Sequence, residues 1–270
     1  MEAVATTLIP ARSPGVRPAA IKLENVTLGY DRRPAVHHLS GEIAPGELLA
    51  VCGPNGGGKS TLLKALAGLL QPMGGRIEHG GAKARDFAFL PQAAQFDRSF
   101  PISVQEFVAL GALRRKGIFG RIDAAETESV ERAIAAVGLK GFEPHALGQL
   151  SGGQLQRALF ARLMVEDGAV ILLDEPFGAI DAATTGDLLA IIAGWHAEGR
   201  TIVAALHELD LVRRGFPKTL LLAREVIAWG ETDEVLTPKN LTLARAMAKA
   251  HDADAAYCHR DETNERADVL

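Results

Sequence analysis

The chain has few cysteines and no excess of basic residues. Its 270 residues include only two cysteines, Cys52 and Cys258, and these lie too far apart to form a CxxC motif. Such sparse cysteine excludes a disulfide-rich scaffold and favours a reducing compartment. The 33 acidic residues outnumber the 29 basic ones. The chain therefore lacks the basic excess that nucleic-acid-binding domains use, and we expect no nucleic-acid partner.

Long apolar runs are also missing. The longest have the length of a strand, such as AVILLD at 169–174, whereas a membrane-spanning helix needs about 20 apolar residues. Glu2 and the three prolines within residues 1–19 argue against a secretory signal. We therefore expect a protein that does not enter a membrane by itself, and a flexible segment over residues 1–19.

Strand-like and helix-like segments alternate along most of the chain, which predicts an α/β fold with a mainly parallel sheet. Residues 59–70, KSTLLKALAGLL, carry leucines on one helical face and predict a helix that the Gly74–Gly75 pair and Pro72 end. Helical periodicity replaces the alternation from residue 93 to 149. This stretch predicts an inserted helical subdomain.

A glycine-rich loop lies between a predicted strand and the helix at 59–70. Its sequence, GPNGGGKST, fits the phosphate-loop pattern GxxxxGK[ST], with the strand–loop–helix setting that the pattern requires. Successive backbone N–H groups in such a loop surround a polyphosphate, and the helix N-terminus adds positive potential. A simple glycine-rich turn is the alternative. The residues expected to hold nucleotide are Gly53, Pro54, Asn55, Gly56, Gly57, Gly58, Lys59, Ser60 and Thr61.

The segment LSGGQLQR at 150–157 predicts a second helix start that could bind an anion. One chain has little use for two such sites on one triphosphate, whereas two chains arranged head to tail could each close over the nucleotide of the other. A plain helix cap is the alternative. The residues expected to contact the partner's nucleotide are Ser151, Gly152, Gly153 and Gln154.

The apolar strand segment VILLDE at 170–175 ends in two carboxylates. Asp174 is expected to hold Mg²⁺, and Glu175 is expected to polarise the attacking water as a general base. His207 follows the strand TIVAAL and is expected to contact the γ-phosphate. A surface turn at the carboxylates and a structural histidine are the alternatives.

With these motifs in this order, the chain resembles the ATP-binding subunits of ABC transporters over about residues 21–240. The resemblance implies that ATP and Mg²⁺ are the cofactors and that Tyr30 stacks on adenine. It also implies that Gln92 contacts Mg²⁺ and the attacking water, beside the Mg²⁺ ligands Ser60 and Asp174. Asp181 in GAID matches the aspartate that contacts the second subunit of the dimer.

The same resemblance implies a fold and a set of partners. The fold is a P-loop NTPase (RecA-like) core with an N-terminal antiparallel β subdomain and a helical subdomain at about 93–149. The ATP-binding domain would span 20–240, followed by a C-terminal tail at 241–270. The partners would be a second copy of the chain, integral membrane permease subunits and, indirectly, an extracytoplasmic metal-binding protein. The location would be the cytoplasmic face of the inner membrane.

Segments such as DRSFPISVQEFVALG (97–111) and VLTPKNL (235–241) resemble cassettes that energise uptake of zinc, manganese or chelated iron, with zinc importers most similar. The helical region would present a groove to the permease near Gln92 and Phe96. Phe100 and Phe107 either line that groove or pack inside the helical subdomain. An exporter, a non-transport ABC ATPase and a small-molecule kinase are the other readings. Gly57, where relatives often carry Ala or Ser, predicts a more mobile phosphate loop.

Overall fold

The computed structural model describes residues 20–92, 98–116, 123–178 and 180–253, and these residues form two β-sheets and eight α-helices. The strands are β1 Ile21–Tyr30, β2 Arg33–Ile43, β3 Leu48–Cys52, β4 Gly74–Glu78, β5 Phe87–Leu90, β6 Val170–Asp174, β7 Thr201–Ala205, β8 Lys218–Ala223 and β9 Glu225–Glu231. The helices are α1 Lys59–Leu66, α2 Val104–Lys116, α3 Ala124–Ala136, α4 Gly152–Glu166, α5 Ala182–Ala197, α6 Leu209–Gly215, α7 Thr232–Val235 and α8 Pro238–Ala253.

The larger sheet has the order β5-β6-β7-β3-β8-β9. All neighbouring pairs are parallel except β8 and β9, which pair antiparallel. Every residue of β3, β6 and β7 is buried, as expected for apolar strands that are covered on both faces of a parallel sheet. The predicted mainly parallel α/β core is confirmed, and the carboxyl ends of these strands meet at one edge.

The smaller sheet has the order β2-β1-β4 and is antiparallel throughout. Its inner face joins α1 and one face of the large sheet in a common apolar core, which includes Leu28, Leu39 and Leu62. The N-terminal antiparallel β subdomain is therefore confirmed. This arrangement also brings β2 close to the loop that precedes α1.

Helices α2, α3 and α4 pack against one another beside the large sheet, and α2 and α3 lie within the predicted helical insertion. Phe107 is buried and its ring lies 5.3 Å from the Arg162 guanidinium carbon, so it packs inside the subdomain. Phe100 is 63% exposed and remains available to a partner. Phe96, predicted to lie near the groove, and residues 117–122 lie outside the described residues.

Helix α1 is shorter than the leucine pattern predicts. It ends at Leu66 with Ala67 as its C-cap, because Gly68 takes a positive φ of 73° that breaks the helix. Leu69 consequently lies beyond the helix and is 63% exposed. At the other end of the chain, α8 crosses residue 240, where the sequence places the start of the tail.

Within the described ranges, no helix combines the length and apolar character needed to cross a bilayer. The N-terminal segment at 1–19 and the residues after Ala253 lie outside the described structure.

Candidate active site

A cavity of about 850 Å³ opens at the carboxyl edge of the large sheet. Four strands that end there deliver its polar residues: β5 leads to Gln92, β3 to the glycine-rich loop, β6 to Glu175 and β7 to His207. Parallel strands bring these segments together although they lie far apart in sequence. The lining residues are Ala35, Gly53, Pro54, Asn55, Gly56, Gly57, Gly58, Lys59, Ser60, Thr61, Gln92, Glu175 and His207.

The loop between β3 and α1 follows a path that only glycine allows at two positions. Gly53 has φ 145°, and a Cβ there would lie 1.8 Å from the Leu222 carbonyl oxygen. Gly58 has φ 93°, and a Cβ there would lie 2.4 Å from Cγ2 of Val36. The loop backbone therefore packs closely against β8 at Gly53 and against β2 at Gly58, and the loop also lines the cavity.

We expect Gly53→Ala to weaken ATP binding at least about tenfold, because both the contact with Leu222 and the positive φ penalise a side chain there. Titration of the purified protein with a fluorescent ATP analogue measures this. Gly186→Ala is the matched control, since a Cβ at this position in α5 meets nothing within 4 Å. Equal affinities of the two variants would contradict the proposed role of the loop path.

Lys59 begins α1 and lies almost wholly buried beneath the loop. Its Nζ donates hydrogen bonds to the carbonyl oxygens of Gly53, at 2.9 Å, and Pro54, at 3.0 Å. Burial lowers the pKa of the ammonium, and the nearby Glu175 carboxylate opposes that shift. Among the residues that the structure describes, no side chain caps the N-terminus of α1, so its first N–H groups can donate to an anion.

Ser60 and Asp174 form the adjoining part of the site. The Ser60 hydroxyl donates to Oδ1 of Asp174 at 2.9 Å, and Asp174 is only 1% exposed. Burial raises the pKa of the Asp174 carboxyl, while the bond from Ser60 opposes the rise. Oδ2 of Asp174 has no hydrogen-bond partner among the described residues. A buried carboxylate oxygen beside a hydroxyl fits a hard cation such as Mg²⁺, which prefers oxygen ligands.

Glu175 stands directly after β6 in an unusual conformation. Its φ is 51°, and its backbone N–H donates to the Ala205 carbonyl at the end of β7, at 3.1 Å. Positive φ is uncommon for a residue other than glycine and is frequent at functional sites. His207, which follows β7, lines the same cavity. Its Nε2 lies 3.9 Å from Oε1 of Glu208.

The structure keeps the second predicted anion site away from this cavity. Ser151 caps α4, accepting from Gln154 N–H at 3.2 Å, while its own N–H donates to the Gln154 side chain at 2.9 Å. Gly152 follows it as the first helical residue. None of these residues lines the cavity, and both Ser151 and Gly152 are exposed. The predicted helix start is confirmed, and it faces outward.

Asp181 lies beside that helix start. It caps α5 through the Thr184 N–H at 2.8 Å and the Thr184 hydroxyl at 2.9 Å, and these bonds lower the pKa of its carboxyl. A Cβ at Gly153 would lie 3.8 Å from Oδ2 of Asp181. The residues predicted to meet a second subunit are therefore neighbours on one surface. Tyr30 is 48% exposed at the end of β1 and does not line the cavity.

Sequence reasoning missed the residues that shape the loop from outside it. Ala35 lines the cavity from β2, and the Leu222 carbonyl supports Gly53 from β8. Arg157 was also missed: it donates to the Val137 carbonyl at 2.9 Å and to Asp187 at 2.7 Å, joining α3, α4 and α5. Ala35 and Leu222 act through apolar or backbone contacts, which leave no pattern in the sequence. Arg157 is a basic residue whose partners lie far away in the sequence, so no motif identifies it.

Comparisons with known proteins agree with this geometry. The family model described as ABC transporter matches residues 36–178. The manganese transport system ATP-binding protein MntA of Synechocystis is 35% identical over 230 residues, which cover 83% of this chain and 88% of MntA.

Two solved structures show the same fold. An inward-facing metal-chelate type ABC transporter gives a TM-score of 0.75 at 31% identity, covering 84% of this chain and 89% of the other. The dimeric bacterial ABC transporter cassette MJ0796 gives a TM-score of 0.69 at 26% identity, covering 78% of this chain and 98% of the cassette. The phosphate loop, the carboxylates and these similarities place the chain in the ABC transporter family, as an ATP-binding protein that hydrolyses ATP.

Proposed function

We propose that this chain is the ATP-hydrolysing subunit of an importer for a divalent metal ion, with manganese as the first candidate. The observation that carries the proposal is the convergence of the phosphate loop, Glu175 and His207 on one cavity. Similarity to a manganese transport protein and to a metal-chelate type transporter supports the class of substrate.

In this proposal the loop binds the β- and γ-phosphates through its backbone N–H groups, and Lys59 adds a positive charge beside them. Ser60, Asp174 and Gln92 hold Mg²⁺, which neutralises charge on the phosphates when it is bound. Glu175 accepts a proton from the attacking water, and His207 contacts the γ-phosphate. The shared cavity supports the roles of the loop, Gln92, Glu175 and His207. The hydrogen bond from Ser60 supports that of Asp174.

A second copy of the chain would complete each site. Ser151 and Gly153 lie outside the cavity of their own chain; Ser151 is exposed, and Gly153 lies beside the exposed Asp181. In a head-to-tail dimer, the surface that carries these residues would cover the nucleotide in the cavity of the partner, and Gln154 would belong to the same contact. The dimeric form of the similar cassette MJ0796 supports this arrangement.

The membrane partner would be a permease subunit at the cytoplasmic face of the inner membrane, supplied with metal by an extracytoplasmic binding protein. Phe100, exposed beside the helical subdomain, is a candidate contact for that permease. Tyr30 remains the proposed adenine-stacking residue, since its ring is accessible at the end of β1. Residues 20–240 would form the ATP-binding domain.

Zinc, expected from sequence resemblance, is the second candidate substrate. The described residues contain no group of three or more possible metal ligands from which the transported ion could be inferred. The relatives described above are named for manganese transport and for a metal-chelate type of transporter. We therefore rank manganese first and treat zinc and chelated iron as outcomes of the experiment.

We expect a deletion strain grown under manganese limitation to contain less manganese than its parent, with the deficit restored by the wild-type gene and not by Glu175→Gln. Elemental analysis of washed cells measures manganese, zinc and iron together. Glu131→Gln, an exposed carboxylate on α3, is the matched control and should restore the metal as the wild type does. A deficit confined to zinc or iron would change the substrate, and normal content of all three metals would overturn metal import.

A further inference from the structure

The turn between β8 and β9 lies directly against the outer side of the phosphate loop. Its single residue, Arg224, has φ 63°, and its backbone N–H donates to the Gly57 carbonyl at 3.0 Å. The Arg224 carbonyl accepts from the His37 N–H in β2 at 2.7 Å. The backbone of Arg224, in this left-handed conformation, therefore connects β2 to the loop.

This connection fixes the direction of a neighbouring N–H group. In a planar trans peptide the C=O and the following N–H point in opposite directions. Because the Gly57 carbonyl is held toward Arg224, the N–H of Gly58 points away from the turn, and Gly58 is one of the residues that line the cavity. The hydrogen bond from Arg224 thus orients a donor for the phosphates without contacting them.

The phosphate loop is also closely packed around Gly57. A Cβ at Gly57 would lie 2.9 Å from the carbonyl oxygens of both Leu222 and Pro54, so the loop is closely packed where the sequence predicts mobility. Ala248 of α8 and Arg224 line a space of only about 30 Å³ behind the loop. The β8 end, the turn and α8 together form the support on which the loop rests.

We infer that Arg224 is a positioning residue for ATP binding, acting through its left-handed backbone and not through its guanidinium group. The inference rests on the proposed role of the loop in holding the triphosphate. A residue that resists positive φ would pull the turn away from Gly57 and free the peptide that presents the Gly58 N–H. Glycine would keep the turn, because it takes positive φ without strain.

The test compares Arg224→Val with Arg224→Gly in the full-length protein, using titration with a fluorescent ATP analogue and thermal unfolding. We expect the valine variant to bind about tenfold more weakly, and the glycine variant to bind within about twofold of the wild type. Arg224→Ala replaces the valine variant if that protein does not fold. Asn25→Val is the matched control, because Asn25 also has positive φ, 48°, but lies in β1 outside the cavity lining.

Each result has a definite meaning. Wild-type affinity in Arg224→Val, with a lowered melting temperature, would reduce Arg224 to a stability role and overturn the inference. Equal loss in the valine and glycine variants would assign the effect to the guanidinium and overturn it as well, as would an equal loss in Asn25→Val. If Lys59→Ala bound the nucleotide as tightly as the wild type, the proposed site itself would be wrong, whatever the Arg224 variants did.

Discussion

Glu175→Gln is expected to lower the rate of ATP hydrolysis by about 10²- to 10⁴-fold while leaving ATP bound, because glutamine keeps the shape of the side chain but cannot accept a proton. Glu175 lines the cavity, and its backbone is held to the end of β7 by the bond to the Ala205 carbonyl. The substitution changes neither that bond nor the left-handed φ. The protein should therefore fold normally and retain nucleotide.

Phosphate release under saturating ATP measures the rate, and titration with a fluorescent ATP analogue measures binding. Glu131→Gln should hydrolyse ATP as the wild type does, since Glu131 is exposed on α3 and far outside the cavity lining. Hydrolysis by Glu175→Gln at the wild-type rate would assign the general base to another group. Loss of binding in the same variant would show a structural role instead.

Lys59→Ala is expected to weaken ATP binding by about ten- to a hundredfold, because it removes charge-assisted hydrogen bonds to the phosphates. It also leaves the Gly53 and Pro54 carbonyls without the ammonium that now joins them. The loop should lose part of its shape as well as its cation.

Lys22→Ala is the control for charge, because Lys22 is exposed on β1 and carries the same formal charge. It should bind the nucleotide with wild-type affinity in the same titration. If both lysine variants bound equally well, the phosphates would lie elsewhere in the molecule. If both lost affinity to the same extent, general charge rather than the buried ammonium would be responsible.

Short sequence motifs predicted those parts of the site that neighbouring residues determine. The spacing of Gly53, Gly58 and Lys59 predicted a loop between a strand and a helix, and the structure has β3 and α1 in those places. Ser151 followed by two glycines predicted the start of α4, where Ser151 is the N-cap. In each case neighbouring residues alone determine the feature.

Features that depend on distant segments were not predictable in the same way. One difference was local rather than distant: the leucine pattern extended the predicted α1 to residue 70, but the positive φ of Gly68 ends the helix early. Gly57 suggested mobility because a free glycine is flexible, whereas the carbonyl of Leu222, 165 positions later, packs against it. Phe107 could equally have been a surface or a core residue until the contact with Arg162 placed it inside.

The two hydrogen bonds of Lys59 have a consequence for the energetics of ligand capture. Both bonds join groups within one chain, so we expect folding, rather than ligand binding, to carry the conformational-entropy cost of placing the ammonium and curving the loop around it. An arriving nucleotide would then meet a receptor of nearly final shape, and its binding energy would not be consumed in ordering that receptor. Association should then be limited by encounter rather than by rearrangement, and differences in affinity among variants of the loop should appear mainly as differences in residence time.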